Sequence, residues 1–294
     1  MLPKISIVTP SYNQGQFLEE TIASVVGQHY PNLEYIVIDG GSTDNSVDVI
    51  NKQRNELTYW VSERDKGQSE AINKGFRRAT GDILAWLNSD DMYMPGALFA
   101  MAELYNKHGD GLYFGNTIHF QVSEKHGLKC TGSNVVHAGH RSELANYDYI
   151  IQPSSFWTRR VWETAGELSE DFHYGFDWEW FLRCQKKHNI AFFPFSQPLS
   201  LYRIHDSHKT GTGGRKRQEE LLKVYSIYSE KYARLYRLLM EEDVQRNSFL
   251  IKLLVTSSKV IKHPGSYASW LKTIKPRKYG EFTTSEIAGC LQML

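Results

Sequence analysis

The apolar stretch Leu84-Ala85-Trp86-Leu87 runs directly into Asn88-Ser89-Asp90-Asp91, so two adjacent carboxylates stand where a strand should end. Oxygen ligands of this kind suit a hard cation such as Mg²⁺ or Mn²⁺. Such an ion keeps coordination positions for water and substrate phosphates and needs only one or two protein carboxylates. The same two acids would also serve as ordinary turn or helix-capping residues. Asp39 closes a second apolar run and is followed by Gly40-Gly41-Ser42-Thr43-Asp44. Glycines there permit either close backbone approach to a ligand or a plain strand-to-helix turn capped by Thr43 or Asp44. Asp177 opens a helical pattern, where a first-turn acid is favoured by the helix dipole and can also act as a base. His205 lies in Tyr202-Arg203-Ile204-His205-Asp206. It reads either as a loop histidine, one of 11 in the chain, or as a neutral imidazole able to bind Mn²⁺, with Arg203 and Lys209 as cations near a departing anion. No GxGxxG follows any strand and no GxxxxGK[ST] occurs, which argues against a dinucleotide dehydrogenase and a P-loop ATPase.

These residues need a scaffold, and the first hundred positions supply the pattern of one. Short β-branched runs at 5–9, 35–39, 58–62 and 83–87 alternate with amphipathic stretches, as in a parallel sheet flanked by helices. Phe17, Leu18, Ile22, Val25 and Val26 share a helical face; Val47, Val49 and Ile50 begin a second helix; Ala71, Ile72, Gly75, Phe76 and Ala79 form a third. In such sheets ligands sit beyond the carboxyl ends of the strands, and here all four post-strand segments are polar. From about Gly109 to Arg203 the pattern is mixed, with strands predicted near 112–116, 155–157, 191–195 and 199–203 and a helix around 178–187. Residues 206–214 read as a loop, and 215–239 and 244–261 as helices. The expected fold is therefore α/β, a mostly parallel Rossmann-like sheet in residues 1–214, with a C-terminal helical region in 215–294.

The chain has 294 residues and a net charge of +1, but residues 1–214 carry 19 Lys/Arg against 25 Asp/Glu and residues 215–294 carry 15 against 8. The acidic larger part disfavours a nucleic-acid partner, whose phosphates are bound by Lys and Arg. The basic tail fits either a solvated helix face or an anionic membrane surface. The cysteines Cys130, Cys184 and Cys290 form no CxxC pair, so neither a disulfide framework nor a zinc site is expected. There is no signal-like core and no run of eighteen apolar residues, so a cytoplasmic protein, working at the inner face of the cell membrane, is the expectation.

Taken together, the ordered segments resemble glycosyltransferase family 2, which has the GT-A fold. They are Ile5-Ser6-Ile7-Val8-Thr9-Pro10-Ser11-Tyr12-Asn13, Asp39 to Asp44, Asp65-Lys66-Gly67-Gln68-Ser69 through Asn73-Lys74-Gly75, Leu87 to Asp91, Gln152-Pro153-Ser154-Ser155, Phe176 to Arg183, and Tyr202 to His205. The resemblance covers roughly residues 3–210. It implies a metal-dependent inverting transferase that takes a sugar from a nucleoside-diphosphate donor. Pro10 and Tyr12 would line the base pocket, Asp39 would accept from the base edge, and Asp65 and Lys66 would complete the nucleotide cradle. Asp90 would lie toward the ribose or sugar, Asp91 would contact Mn²⁺ or Mg²⁺ with help from His205, and Asp177 would be the general base, Glu179 and Asp171 being its competitors. Asn88 departs from the family's pattern, which has an acid there. Trp178 is expected to face an acceptor sugar, with Trp157 and Trp180 in the core, and Gln152 to Ser155 to border the acceptor cleft. The donor is expected to be a UDP-sugar, because Asp39 can satisfy a uracil N–H. Similar bacterial enzymes use saccharide or lipid-linked saccharide acceptors of surface polysaccharides. Two other readings stay open: a sugar-phosphate nucleotidyltransferase, though Pro10 to Gly15 lacks that class's basic residues, and a non-catalytic sugar-nucleotide or saccharide-binding protein.

Overall fold

The computed structural model describes residues 2–123, 127–131, 143–206, 209, 213–246 and 264–294. The chain divides into two compact units, one of Met1–His140 with Ile150–His208 and one of Arg141–Tyr149 with Lys209–Leu294. Arg141–Tyr149, placed in the first part on sequence, thus clusters with the C-terminal helices.

The first unit is built on one mixed sheet. Its strands are β1 (Ile5–Ser11), β2 (Leu33–Asp39), β3 (Tyr59–Ser62), β4 (Ile83–Trp86), β5 (Met92–Tyr93), β6 (Leu112–Ser123), β7 (Gly127–Thr131), β8 (Ser155–Thr158) and β9 (Phe192–Arg203). Their order is β3-β2-β1-β4-β8-β6-β9-β5, with β7 on β6. The pairs β3-β2, β2-β1 and β1-β4 are parallel, and β8 joins β4 antiparallel. The two strands expected at 191–195 and 199–203 are one strand, β9. Its register against β6 shifts between Phe114 and Thr117, and such an irregularity breaks the two-residue alternation on which a sequence reading depends.

β1 is buried along its whole length, as its Ile-Ser-Ile-Val sequence demands of a central strand. Pro10 within it looks anomalous, since proline has no N–H to give a ladder. The backbone of Val8 faces β4, where its carbonyl accepts from Leu87 N, so Pro10, two residues on, faces the same way. Pairing with β4 ends at Val8↔Trp86, and Pro10 therefore sits where β4 has already left. The strand order reverses here, β2 lying on one side of β1 and β4 on the other, and the two carboxyl ends diverge into a crevice.

Helices α1 (Gly15–Val26), α2 (Ser46–Lys52), α3 (Gln68–Arg78) and α4 (Ala97–His108) cover the sheet. α3 presses directly on β1, for a Cβ on Gly75 would lie 2.3 Å from Val8 Cγ1. α5 (Arg159–Ala165) and α6 (Phe176–Leu182) close an aromatic cluster in which Phe76, Trp86, Trp157, Trp162 and Trp180 pack ring on ring. α6 passes into a π-helical turn at Arg183–Lys187. At the opposite end of the sheet from the crevice, buried Glu34 accepts from Lys4 Nζ at 2.7 Å, Ser6 Oγ at 2.5 Å and Thr80 N at 2.6 Å, tying β1, β2 and the turn before β4 together.

The second unit holds α7 (Gly214–Tyr228), α8 (Glu230–Arg246), α9 (Pro264–Ile274), α10 (Pro276–Tyr279) and α11 (Thr284–Gln292). The single helix expected over 215–239 is broken at Ser229, whose φ of −160° and ψ of 102° are extended. Most of the helix expected at 244–261 and of the loop at 206–214 lies outside the described residues. α11 starts with a capping box between Thr283 and Glu286, and Tyr225 Oη donates to the Asn146 carbonyl at 2.6 Å. Among the described residues no helix is long and apolar enough to cross a membrane.

Candidate functional site

The loops after β1 and β2 are locked to each other by polar side chains. Asn13, in the left-handed region at φ 52°, donates its N–H to Ser42 Oγ at 2.8 Å, and its Oδ1 accepts from Thr43 N at 2.8 Å. Asp44 Oδ2 accepts from Gly15 N at 2.9 Å, one of the unpaired amides at the start of α1. Tyr12 stands at the tip of this assembly, 62% exposed, with its ring face available. Pro10 is buried beneath it.

Asp39 is fully buried. Its Oδ2 accepts from Gly41 N, Ser42 N and Ser62 Oγ at 3.1, 2.9 and 2.7 Å, while Oδ1 accepts only from Ser42 Oγ at 2.5 Å. A carboxylate offers about four lone-pair sites. Asp39 as placed therefore builds its turn mainly through Oδ2, and Oδ1, with Ser42 Oγ as its donor, is the oxygen with acceptor capacity left for a base edge. The neighbouring glycine has a different use from the one expected. A Cβ on Gly40 would come within 2.6 Å of Asp65 Oδ2, so glycine makes room for that carboxylate. Asp65 accepts from Gly67 N at 2.9 Å. Burial raises its pKa, with Glu70 and Asp39 adding to the effect and the Gly67 N–H and Lys74 opposing it. Lys66 projects into solvent, with Glu170 at 3.6 Å.

The loop after β4 meets the end of β9. Asp90 Oδ2 is 3.0 Å from His205 Nε2, and the two side chains are partly open to solvent, 20% and 13%. Asp91 points the other way and is 1% exposed. Its Oδ1 accepts the backbone N–H of Arg203 at 3.0 Å, and its Oδ2 is buried without a full hydrogen bond. Burial, and then the Asp90 charge, push the Asp91 carboxyl well above the ordinary range. The accessible acid of the pair is thus Asp90, where the sequence favoured Asp91 for metal contact.

Arg203 is 8% exposed and fully engaged. Its Nε donates to the Asp90 carbonyl at 3.0 Å, its guanidinium pairs with Glu20, and it lies 4.7 Å from the Phe17 ring and 4.6 Å from the Phe120 ring. The expected action of this cation on a departing anion gives way to a structural one, since burial and these partners hold it against the loop. His205 also packs on Phe17, with ring centroids 4.8 Å apart. Phe17, assigned on sequence to the inward stripe of α1, and Glu20 were not singled out. The signal available was the strand period of two, which puts Arg203 and His205 on one side.

Asp177 lies in the first turn of α6, half-buried, with Oδ1 accepting from Trp178 N at 2.8 Å. α6 is brought to the carboxyl end of β4 by Phe176, whose ring centroid is 6.1 Å from that of Trp86. Glu179 is buried against Arg183 at 2.9 Å, which removes it as a competing base. Trp157 and Trp180 lie in the core as expected, but Trp178, expected to face an acceptor sugar, is 1% exposed and joins them there. Gln152 reaches the end of β4, donating from Nε2 to the Trp86 carbonyl at 2.8 Å. Among the described residues no three His, Cys, Asp or Glu side chains gather into a metal cage. Carboxylate plus imidazole, as in Asp90 and His205, is nevertheless a donor set that suits Mn²⁺ or Mg²⁺ completed by water and phosphate oxygens.

Known proteins share this organisation. The chain is 36% identical over 96 residues to TuaG of Bacillus subtilis, described as a putative teichuronic acid biosynthesis glycosyltransferase, the match covering 31% of this chain and 37% of that protein. The chain spans about a third of the length of the curated relatives it matches first. Staphylococcus aureus TarS, solved in complex with UDP-GlcNAc, superposes with a TM-score of 0.60 at 14% identity, covering 94% of this chain and 83% of that one. The mannosyltransferase PcManGT of Pyrobaculum calidifontis, solved with GDP-Man and Mn²⁺, gives 0.60 at 14% identity, covering 99% and 87%. These likenesses establish a GT-A-type fold. The sequence profile of glycosyl transferase family 2 matches residues 6–164, more than half of the chain, and the protein belongs to that family.

Proposed function

We propose that this protein transfers a sugar from a nucleoside-diphosphate donor, a UDP-sugar, to an acceptor hydroxyl with inversion, in the assembly of a bacterial cell-surface polysaccharide. The observation that carries this reading is the Asp90–His205 pair on the rim of the β1/β4 crevice, beside the loops that bear Tyr12, Asp39 and Asp65. Family membership supports it and disfavours the nucleotidyltransferase reading. TarS with UDP-GlcNAc and PcManGT with GDP-Man and Mn²⁺ support a nucleotide-sugar donor and a divalent ion, and TuaG supports the polysaccharide context.

In this mechanism the exposed Tyr12 ring stacks on the base above Pro10. Asp39 Oδ1 accepts a base N–H beside the Ser42 hydroxyl, and Asp65 and Lys66 border the nucleotide. Asp90 and His205 would hold Mn²⁺ or Mg²⁺, which would supply positive charge for the departing diphosphate. Asp91 is assigned instead to the turn, fixing the backbone of Arg203 from within. Asp177 takes the proton of the acceptor hydroxyl as that oxygen bonds to the anomeric carbon; the bond to the diphosphate oxygen breaks on the opposite face, which inverts the centre. We take residues 1–214 as the catalytic part. The basic region 215–294 would rest on the cytoplasmic membrane face, near a saccharide or lipid-linked saccharide acceptor.

Calorimetric titration of UDP, GDP and dTDP, each with and without Mn²⁺, tests the donor and the metal together. One nucleotide should bind, Mn²⁺ should tighten it, and Asp90→Asn should remove that gain; failure of every nucleotide to bind would return the protein to the saccharide-binding class. Asp177→Asn should keep donor affinity and lower turnover by about 100-fold or more. Loss of donor binding in that variant would defeat its assignment as the base.

A further inference from the structure

The loop that carries Asp90 rests on a row of three side-chain amides whose polarity is fixed from one end. Trp86 ends β4 with a carbonyl that can only accept, so Gln152 must present Nε2 to it, at 2.8 Å. Gln152 Oε1 then faces Asn88, which must donate from Nδ2, at 3.3 Å. This leaves Asn88 Oδ1 to accept from Gln68 Nε2, at 2.7 Å. The chain runs from α3 across the crevice to the segment before β8; Gln68 enters it as a donor, and Asn88 and Gln152 each use one donor and one acceptor. The middle position must do both, which asparagine can and an ionised aspartate cannot.

A carboxylate at position 88 would set its second oxygen against Gln152 Oε1, which now accepts from Asn88 Nδ2 at 3.3 Å, and would bring a third acid beside Asp90 and the buried Asp91.

We propose that Gln68, Asn88 and Gln152 are positioning residues: a neutral amide relay that holds the Asn88–Asp91 turn so that Asp90 alone presents charge to the metal-diphosphate subsite. Asn88 is then a required residue of this site and not a weakened metal ligand. The inference rests on the reading of Asp90 as the metal-side acid, and it makes a prediction of opposite sign to the simpler view. Were Asn88 an eroded ligand, Asn88→Asp would tighten Mn²⁺-dependent binding; a relay that must be neutral loses it.

The test titrates UDP and GDP into the whole chain, with and without Mn²⁺, for wild type and Asn88→Asp, and measures the thermal midpoint of each protein without metal or nucleotide. The relay predicts that Asn88→Asp melts several degrees lower and that its Mn²⁺-dependent gain in nucleotide affinity falls about tenfold, a change in metal-free affinity being smaller. Equal losses with and without Mn²⁺ would mark a merely loosened fold and overturn the positioning role. Unchanged or tighter Mn²⁺-dependent binding with an unchanged midpoint would show an eroded ligand. If Asn88→Asp does not fold, Gln68→Leu at the half-buried end of the row takes its place: a reduced Mn²⁺-dependent gain with a near-normal midpoint supports the relay, and wild-type behaviour refutes it. If wild type binds neither nucleotide, the proposed function fails while the metal-free midpoint still judges the relay.

Discussion

Replacing Arg203 by methionine separates a guanidinium that shapes the site from one that acts on the substrate. Methionine keeps much of the buried aliphatic stem and removes the charged head. The head donates to the Asp90 carbonyl at 3.0 Å, and a bond from a charged donor contributes about 1.5–3 kcal/mol. Contacts with the Phe17 and Phe120 rings at 4.7 and 4.6 Å contribute about 0.5–1 kcal/mol each. The pair with Glu20, whose carboxylate is 60% exposed, contributes less than about 1 kcal/mol after solvent screening. Some of this is recovered by relaxation, leaving about 3 kcal/mol, which for a protein of this size lowers the thermal midpoint by roughly 6–12 °C. The backbone bond from Arg203 N to Asp91 survives the substitution, so the turn should loosen without being lost. Differential scanning calorimetry of the protein free of metal and nucleotide measures the effect, and Arg203→Lys should fall between the two. A variant with the wild-type midpoint but no turnover would refute the reasoning, because the guanidinium would then be acting on the substrate.

Two predictions address the scaffold. Burial alone would raise the Glu34 pKa, but hydrogen bonds from Lys4, Ser6 and Thr80 outweigh it and lower it from 4.5 to about 2, a shift equivalent to about 3 kcal/mol. Because the folded-state value is depressed, this stabilisation is fully present above about pH 4.5 and is lost as pH falls toward 2. Urea unfolding should find Glu34→Gln less stable than wild type at pH 7 and the gap closing on acidification; a gap of constant size from pH 7 to pH 3 would contradict the network. Gly75→Ala places a methyl 2.3 Å from Val8 Cγ1, an overpacking cost of about 1–3 kcal/mol against a helix-propensity gain near 1. It should destabilise by up to about 2 kcal/mol, and Val8→Ala in the same chain should return part of the loss; additive losses in the double variant would show that the two positions do not meet.

What the residue order determined by itself was local and periodic. β-branched runs ending in polar segments announced β1 to β4 and their carboxyl-end loops, because a buried parallel strand leaves an unbroken apolar signature. The departure at Asn88 was also visible, though its meaning was not. The sequence could not divide the work of Asp90 and Asp91, since adjacent residues at a strand end leave in different directions and only the fold decides which one meets solvent. It could not reveal that Arg203 is enclosed by Phe17 and Glu20 of one helix and Phe120 of a strand about a hundred residues further on, or that Trp178 faces the core and not an acceptor. The polarity of the Gln68–Asn88–Gln152 row likewise depends on a single carbonyl, that of Trp86, brought within 2.8 Å of Gln152 from 66 residues away. Hydrogen-bond direction, burial and charge proximity belong to pairs of residues that the chain keeps far apart, and tertiary packing alone brings those pairs together.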